Sequence, residues 1–196
     1  MKRPGALGVT GTPGTGKKSI SPILAGLLRM ELVEINSFAR TRAAPREGDE
    51  LVVDTKKLGS QLAKRGTTST VVSGHLLADV LKPASAEFVV VLRCDPAVLK
   101  RRLASRGYLP DKVLENVEAE LIGVVLDGAV RRFGAAKVHE YDSTGTSPVS
   151  LAKRIADDYL AGRAQASPWV DWTLDYDSSA RLRSLLSRPR TEPAST

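Results

Sequence analysis

Leu7-Gly8-Val9-Thr10-Gly11-Thr12-Pro13-Gly14-Thr15-Gly16-Lys17-Lys18-Ser19 decides how this chain is read. The stretch has the form GxxxxGK of a phosphate-binding loop. A short apolar run over residues 6–10 feeds a glycine-rich turn, and a helical pattern starts at Lys17. Such a turn bares successive backbone N–H groups toward one point. The helix that follows adds the positive end of its dipole, and the lysine adds a mobile cation. Gly11, Gly14 and Gly16 let the backbone approach phosphates that a side chain would hold off. Gly11, Thr12, Gly14, Thr15, Gly16, Lys17, Lys18 and Ser19 are therefore the candidate ATP-binding residues. Lys17 is the candidate catalytic cation, placed to bridge the β- and γ-phosphates.

The usual pattern has Ser or Thr directly after the lysine, where its hydroxyl binds Mg²⁺. Here that position is Lys18, and the hydroxyl follows at Ser19. The order Gly-Lys-x-Ser resembles the adenylate kinase form of the loop. That likeness makes Ser19 the candidate metal-side hydroxyl. Lys18 is either a solvated lysine on the helix face or an extra charge near the phosphates that weakens Mg²⁺ binding.

Beyond the loop, strands alternate with helices. Strands are expected at residues 31–35, 70–73, 87–93 and 137–141, and helices at 17–29, 36–42, 55–65, 96–105, 112–132 and 147–161. The run Phe88-Val89-Val90-Val91-Leu92 suits a central parallel strand buried on both faces. Asp95 ahead of Pro96 reads as a helix cap. Alternation of this kind implies right-handed βαβ units and a parallel sheet. Ligands of such sheets bind at the carboxyl ends of the strands. The loop, Asn36, Ser73 to His75 and Asp95 all follow expected strand ends.

The chain has 196 residues, 42% of them hydrophobic, which fits one α/β domain with an ample core. A formal charge of +7 suits an anionic partner, whether nucleotide, nucleic acid or ribonucleoprotein. Cys94 is the only cysteine, so no internal disulfide can form, and a reducing compartment is expected. No apolar run approaches the roughly 18 residues of a membrane span, and Met1-Lys2-Arg3-Pro4-Gly5 lacks a signal peptide's apolar core. The expectation is a soluble cytoplasmic protein with no membrane partner.

Three segments together resemble the atypical adenylate kinase family of the isoenzyme six type, whose eukaryotic members are coilin-interacting nuclear ATPases. The first is Thr10 to Lys17. The second is Val71-Val72-Ser73-Gly74-His75-Leu76. The third runs from Val91-Leu92-Arg93-Cys94-Asp95-Pro96 through Arg102 to Tyr108, Lys112 and Glu115-Asn116-Val117-Glu118-Ala119-Glu120. The likeness spans about residues 6 to 160, and Ser73-Gly74-His75 with Val170-Asp171-Trp172 looks like the archaeal branch. The resemblance implies an α/β fold of the P-loop NTPase, nucleoside monophosphate kinase-like kind: three layers around a central parallel sheet. It implies a kinase domain over 1–165, with a monophosphate-binding segment at about 36–57 and a lid at about 105–115. Residues 166–196 would form a C-terminal extension ending in a disordered tail. It also implies adenylate kinase activity with Mg²⁺ and ATP, an ATPase activity, and a role in small ribosomal subunit maturation. The partners would be ATP and AMP, a small-subunit platform ribosomal protein and pre-ribosomal RNA.

The same resemblance proposes the remaining site residues. Arg106 matches the lid arginine and would close over ATP; alternatively it is a helix-end cation favoured by the macrodipole. Asn36 and Arg40 are the candidates for AMP, while Asn36 alternatively caps the turn after it. His75 falls where the family has a histidine near the γ-phosphate, able to orient water or sense the phosphate in the ATPase step; alternatively it is a structural or surface histidine. Ser73 is a departure, since eukaryotic relatives carry an aspartate there that can anchor Mg²⁺. His139 reads as structural. Trp169, Trp172 and the basic helix around Arg181 and Arg183 either pack a tail on the domain or contact ribosomal protein or RNA. Lys100, Arg101 and Arg102 read as ambiguous, with a solvated face the plain alternative.

Overall fold

The computed structural model describes residues 5–40, 46–47, 50–51, 54–162 and 170–187. In chain order the elements are β1 (Ala6–Thr10), α1 (Lys17–Leu28), β2 (Glu31–Glu34), α2 (Ile35–Arg40), β3 (Arg46–Glu47), β4 (Glu50–Leu51), α3 (Thr55–Arg65), β5 (Thr70–Ser73), α4 (Leu77–Val80), β6 (Ala86–Arg93), α5 (Pro96–Ala104), α6 (Pro110–Leu121), α7 (Val124–Phe133), β7 (Val138–Asp142), α8 (Pro148–Leu160), α9 (Trp172–Asp175) and α10 (Ser179–Leu186). Five strands form one parallel sheet in the order β2-β5-β1-β6-β7. From β1 the chain crosses to the edge strand β2, returns to β5 beside β1, and then continues to β6 and β7 on the other side, so β1 lies between the two halves of the winding. Ligand crevices open at such a switch point.

Two apolar layers cover the sheet. One face packs Leu7, Val9, Val71, Val90 and Leu92 against Ile20 and Leu24 of α1 and Leu151 and Ile155 of α8. The other packs Val72, Val89 and Val91 against Leu58 and Leu62 of α3, Leu77 and Val80 of α4, and Ala129 and Phe133 of α7. Strands β1 and β5 are buried along their whole length, as an unbroken apolar run between two helical layers requires. A third cluster lies beyond the carboxyl end of β6. There α5 and α6 meet Trp172 and Leu185 of the C-terminal segment around Cys94, Leu99, Leu103, Val113 and Val117.

Two helical expectations are corrected. The helix anticipated over 112–132 is two helices, because Gly123 adopts φ +71 and cannot continue α6. The apolar spacing persists across the break, so periodicity alone hides it. The one-turn helix α4 has no counterpart in the expected pattern; it is a four-residue element wedged between β5 and β6. Asn36 lies inside α2 and is exposed, so it does not cap that helix. Thr41 and Arg42, Trp169 and the tail 188–196 lie outside the described residues.

Candidate nucleotide site

The phosphate loop leaves β1 at Thr10 and enters α1 at Lys17. Its glycines are required by geometry. Gly11 has φ +142, and a Cβ there would sit 2.5 Å from the Leu92 carbonyl oxygen and 2.7 Å from Thr15 Oγ1. Gly14 has φ +97, and a Cβ there would meet Leu99 at 2.6 Å and Leu103 at 3.0 Å, so the loop lies directly on α5. Thr15 N and Thr15 Oγ1 both donate to the Thr12 carbonyl, at 3.2 and 2.9 Å. Among the described residues the N–H groups of Gly14, Gly16, Lys17 and Lys18 find no protein acceptor. A turn that leaves several amides open at a helix N-terminus is an anion cradle, suited to phosphate groups.

Lys17 folds back over this loop. Its Nζ donates to the Gly11 carbonyl at 2.5 Å and the Thr12 carbonyl at 3.0 Å. Burial strips water from the ammonium and pulls its pKa down to about 7, with the Glu120 carboxylate acting in the opposite sense. Lys18 and Ser19 are exposed on the first turn of α1.

Glu120 is the residue that sequence reasoning passed over. It is 2% exposed, yet its carboxylate takes four donors. Oε2 accepts from the Thr12 hydroxyl at 2.6 Å. Oε1 accepts from Arg93 Nε at 2.8 Å, the Cys94 amide at 3.0 Å and the Trp172 indole N–H at 3.3 Å. Arg93 also pairs with Glu140 at 2.5 Å and donates to the Val170 carbonyl at 3.1 Å, while the Val170 amide donates to Glu140 at 3.1 Å. A buried charge persists only when it is paired and hydrogen-bonded, and every member here is. The signal was present in the sequence. Glu120 falls on the buried stripe of α6 with Val113, Val117 and Leu121, and Arg93 and Glu140 sit in buried strands.

The other strand ends bring the remaining candidates to the same edge. Val9 is in register with Ser73, and the Gly74 amide donates to the Val9 carbonyl at 3.0 Å. His75 follows, solvent-accessible, with its pKa lowered by desolvation first and then by the Lys17 cation. Ser73 is buried and accepts a 2.8 Å hydrogen bond from Ser21. Ser143, after β7, has its hydroxyl 2.8 Å from the carbonyls of both Thr15 and Arg93. Arg106 lies exposed on the turn between α5 and α6, just ahead of Gly107 at φ +74. Arg40 closes α2, and its side chain lies outside the described residues.

Several side chains serve the architecture. Asp95 caps α5 through the Val98 amide at 2.9 Å and receives the Tyr176 hydroxyl at 3.0 Å, so both its oxygens are engaged. Asp54 caps α3. Lys100 is not on a solvated face: its Nζ donates to the Ser184 and Leu185 carbonyls, capping α10. Arg102 likewise turns in, toward Cys94 Sγ and the Ser143 carbonyl. Burial pushes the Cys94 thiol up to about 11, which keeps it unreactive. His139 stacks on Phe88 with centroids 3.8 Å apart. Both line a cavity of about 500 Å³ at the amino ends of the strands, away from the loop.

A family model described as an AAA domain matches residues 7–123, from β1 to the end of α6. A protein from Thermococcus gammatolerans named "Putative adenylate kinase" is 37% identical over 174 residues, covering 87% of this chain and 94% of that protein. One of the same name from Natronomonas pharaonis is 37% identical over 169 residues, covering 84% and 96%. The chain belongs to the adenylate kinase-like family of P-loop proteins. In fold it is similar to shikimate kinase from Acinetobacter baumannii, with a TM-score of 0.58 at 17% identity over 83% of this chain and 96% of that one. It also resembles a gluconokinase from Sinorhizobium meliloti, with a TM-score of 0.51 at 20% identity over 84% and 100%. At such identities these two speak for the P-loop kinase fold alone. Among the described residues, no helix of this family member is long and apolar enough to cross a membrane.

Proposed function

We propose that the chain is a nucleoside monophosphate kinase of the adenylate kinase type, moving the γ-phosphoryl group of Mg·ATP to AMP. The observation that carries the reading is the loop itself: open amides at the head of α1, with the Lys17 ammonium folded over them. The family's printed names support it. In the step, a phosphate oxygen of AMP bonds to the γ-phosphorus, the β–γ bridging bond breaks, and two ADP molecules result. Charge gathers on the equatorial oxygens and the leaving β-phosphate. Preformed amides and cations lower its energy without covalent help from the protein. Lys17 leaves the Gly11 and Thr12 carbonyls for the more basic phosphate oxygens. Arg106 is assigned to close over ATP from its turn, and Asn36 and Arg40 to hold AMP.

Mg²⁺, when bound, would neutralise phosphate charge in the step. Ser19 is the hydroxyl we assign to it. The end of β5 offers no carboxylate, because Ser73 stands there and is already paired with Ser21. Asp95 is occupied as a cap. Metal binding then leans on the nucleotide's own oxygens.

A second reading has one observation in its favour. His75 is accessible, electrostatically linked to Lys17, and held mainly neutral at pH 7. A neutral imidazole there can orient water toward the γ-phosphate, giving ATP hydrolysis. The isoenzyme six resemblance extends this to a cytoplasmic assembly ATPase acting in small ribosomal subunit maturation, with a platform ribosomal protein and pre-ribosomal RNA as partners. ATP consumption by the native chain, followed with and without AMP, separates the two. The kinase reading expects consumption to depend on AMP; AMP-independent phosphate release supports the ATPase.

A further inference from the structure

The C-terminal segment enters the nucleotide site from behind. Trp172 is 7% exposed, and its ring packs among the side chains of α5 and α6. Its indole N–H points to Glu120 Oε1, while Glu120 Oε2 holds the hydroxyl of Thr12 in the phosphate loop. The loop therefore connects to the C-terminal segment through a single carboxylate. The same segment is strapped down beside it: the Val170 main chain lies between Arg93 and Glu140, and the Tyr176 hydroxyl donates to Asp95. Arg93 and Asp95 both stand at the carboxyl end of β6, the edge from which the loop also rises.

We propose that Trp172 is a positioning residue of the phosphate loop, acting through Glu120. The proposal rests on the reading that this loop binds ATP. Glu120 Oε1 serves three donors, of which the Arg93 and Cys94 groups belong to β6 and the turn after it. The indole is the donor that comes from outside the sheet and opposes rotation of the carboxylate away from the loop. The Thr12 carbonyl on the other side of this link accepts from Thr15 and Lys17, so the position of Thr12 propagates to the cradle and to its cation. A packing role for the ring alone would make no use of the N–H. Hydrogen bonds to a charged acceptor matter more than neutral ones, and a looser cradle weakens ground state and transition state alike.

The test replaces the indole N–H and keeps an aromatic ring. In Trp172→Phe the KM for ATP is expected to rise about tenfold, with kcat and the KM for AMP within about twofold of native. Thr12→Val should raise the same KM, and the double variant should raise it by less than the product of the two, because both act through Glu120. A Trp172→Phe protein with a native KM for ATP and only a lower melting temperature would overturn the proposal, as would a fully multiplicative double variant. Should Trp172→Phe fail to fold, Trp169→Phe leaves Trp172 as the single tryptophan. Its emission is then expected to shift on addition of Mg·ATP and not of Mg²⁺ alone; an unchanged spectrum at saturating ATP overturns the coupling. If the native chain binds Mg·ATP and Trp172→Phe matches it, this inference alone falls. If the native chain does not bind Mg·ATP, the kinase reading falls and this one with it.

Discussion

Glu120 Oε2 accepts a 2.6 Å hydrogen bond from the Thr12 hydroxyl, joining the last turn of α6 to the phosphate loop across 108 positions of the chain. The link lies beside a buried ion-pair set of Arg93, Glu120 and Glu140. Buried ion pairs of this kind gain little net stability over an apolar core, but removing one partner strands the others.

Glu120→Ala is therefore expected to destabilise the fold by roughly 3–5 kcal/mol, since it leaves Arg93, the Cys94 amide, the Thr12 hydroxyl and the Trp172 indole short of an acceptor. Denaturant unfolding of the native and variant chains measures it. A loss under about 1 kcal/mol would show that water or Glu140 replaces the lost carboxylate.

Lys17 sets a pH dependence. With its pKa near 7, the ammonium is only partly charged in the free site at neutral pH. Polyanionic ATP favours the charged form, so binding takes up a proton above that pKa. The affinity for Mg·ATP should be level on this account below about pH 7. It should then fall as pH rises, by up to about tenfold per pH unit until the pKa of the bound state is reached. Titration calorimetry between about pH 7 and 9, in buffers of different ionisation enthalpy, reads the proton directly. No proton uptake at about pH 8 would contradict the assignment.

His75 and the AMP-dependent reaction should separate. His75→Ala is expected to lower AMP-independent ATP hydrolysis by about 10²-fold or more, the scale of a positioned general base. ADP formation from ATP plus AMP should change by less than about threefold, because AMP brings its own nucleophile. Parallel assays of phosphate release and ADP formation check this. Equal losses in both would place His75 in the phosphoryl-transfer step itself.

Gly123 marks where α6 stops. It holds φ +71, with no atom nearer than 3.9 Å to the place of a Cβ, so the penalty of a side chain there is conformational rather than steric. Gly123→Ala should cost about 1–2 kcal/mol, measured as a fall in unfolding free energy with activity retained. A more stable variant would mean that α6 and α7 can merge.

The sheet was legible because its central strands are short apolar runs that end at turns, and all five strands fall within a residue or so of their expected positions. The loop was legible because only glycine fits where Thr15 and Leu92 crowd Gly11. The break at Gly123 was not, since the apolar spacing continues through it and a lone glycine is tolerated in many helices. The buried charge set was also missed. Arg93 lies 27 residues from Glu120 and 47 from Glu140, so although Glu120 falls on the apolar stripe of α6, no local pattern pairs it with its partners. Lys100 and Arg102 stayed ambiguous for a related reason: in an amphipathic helix a basic residue looks solvated until the partner from a distant segment arrives. That segment, residues 170–187, carries little apolar periodicity of its own and takes its place through Trp172, Tyr176 and Leu185.

The most direct test of the account is the stoichiometry of ADP formed from Mg·ATP and AMP by the native chain and by Lys17→Ala. For a kinase, two ADP form per ATP consumed, consumption stops without AMP, and Lys17→Ala loses at least about 10²-fold, as for other preorganised charges at a transition state. One ADP and one phosphate per ATP regardless of AMP, or native turnover in Lys17→Ala, would contradict the kinase reading.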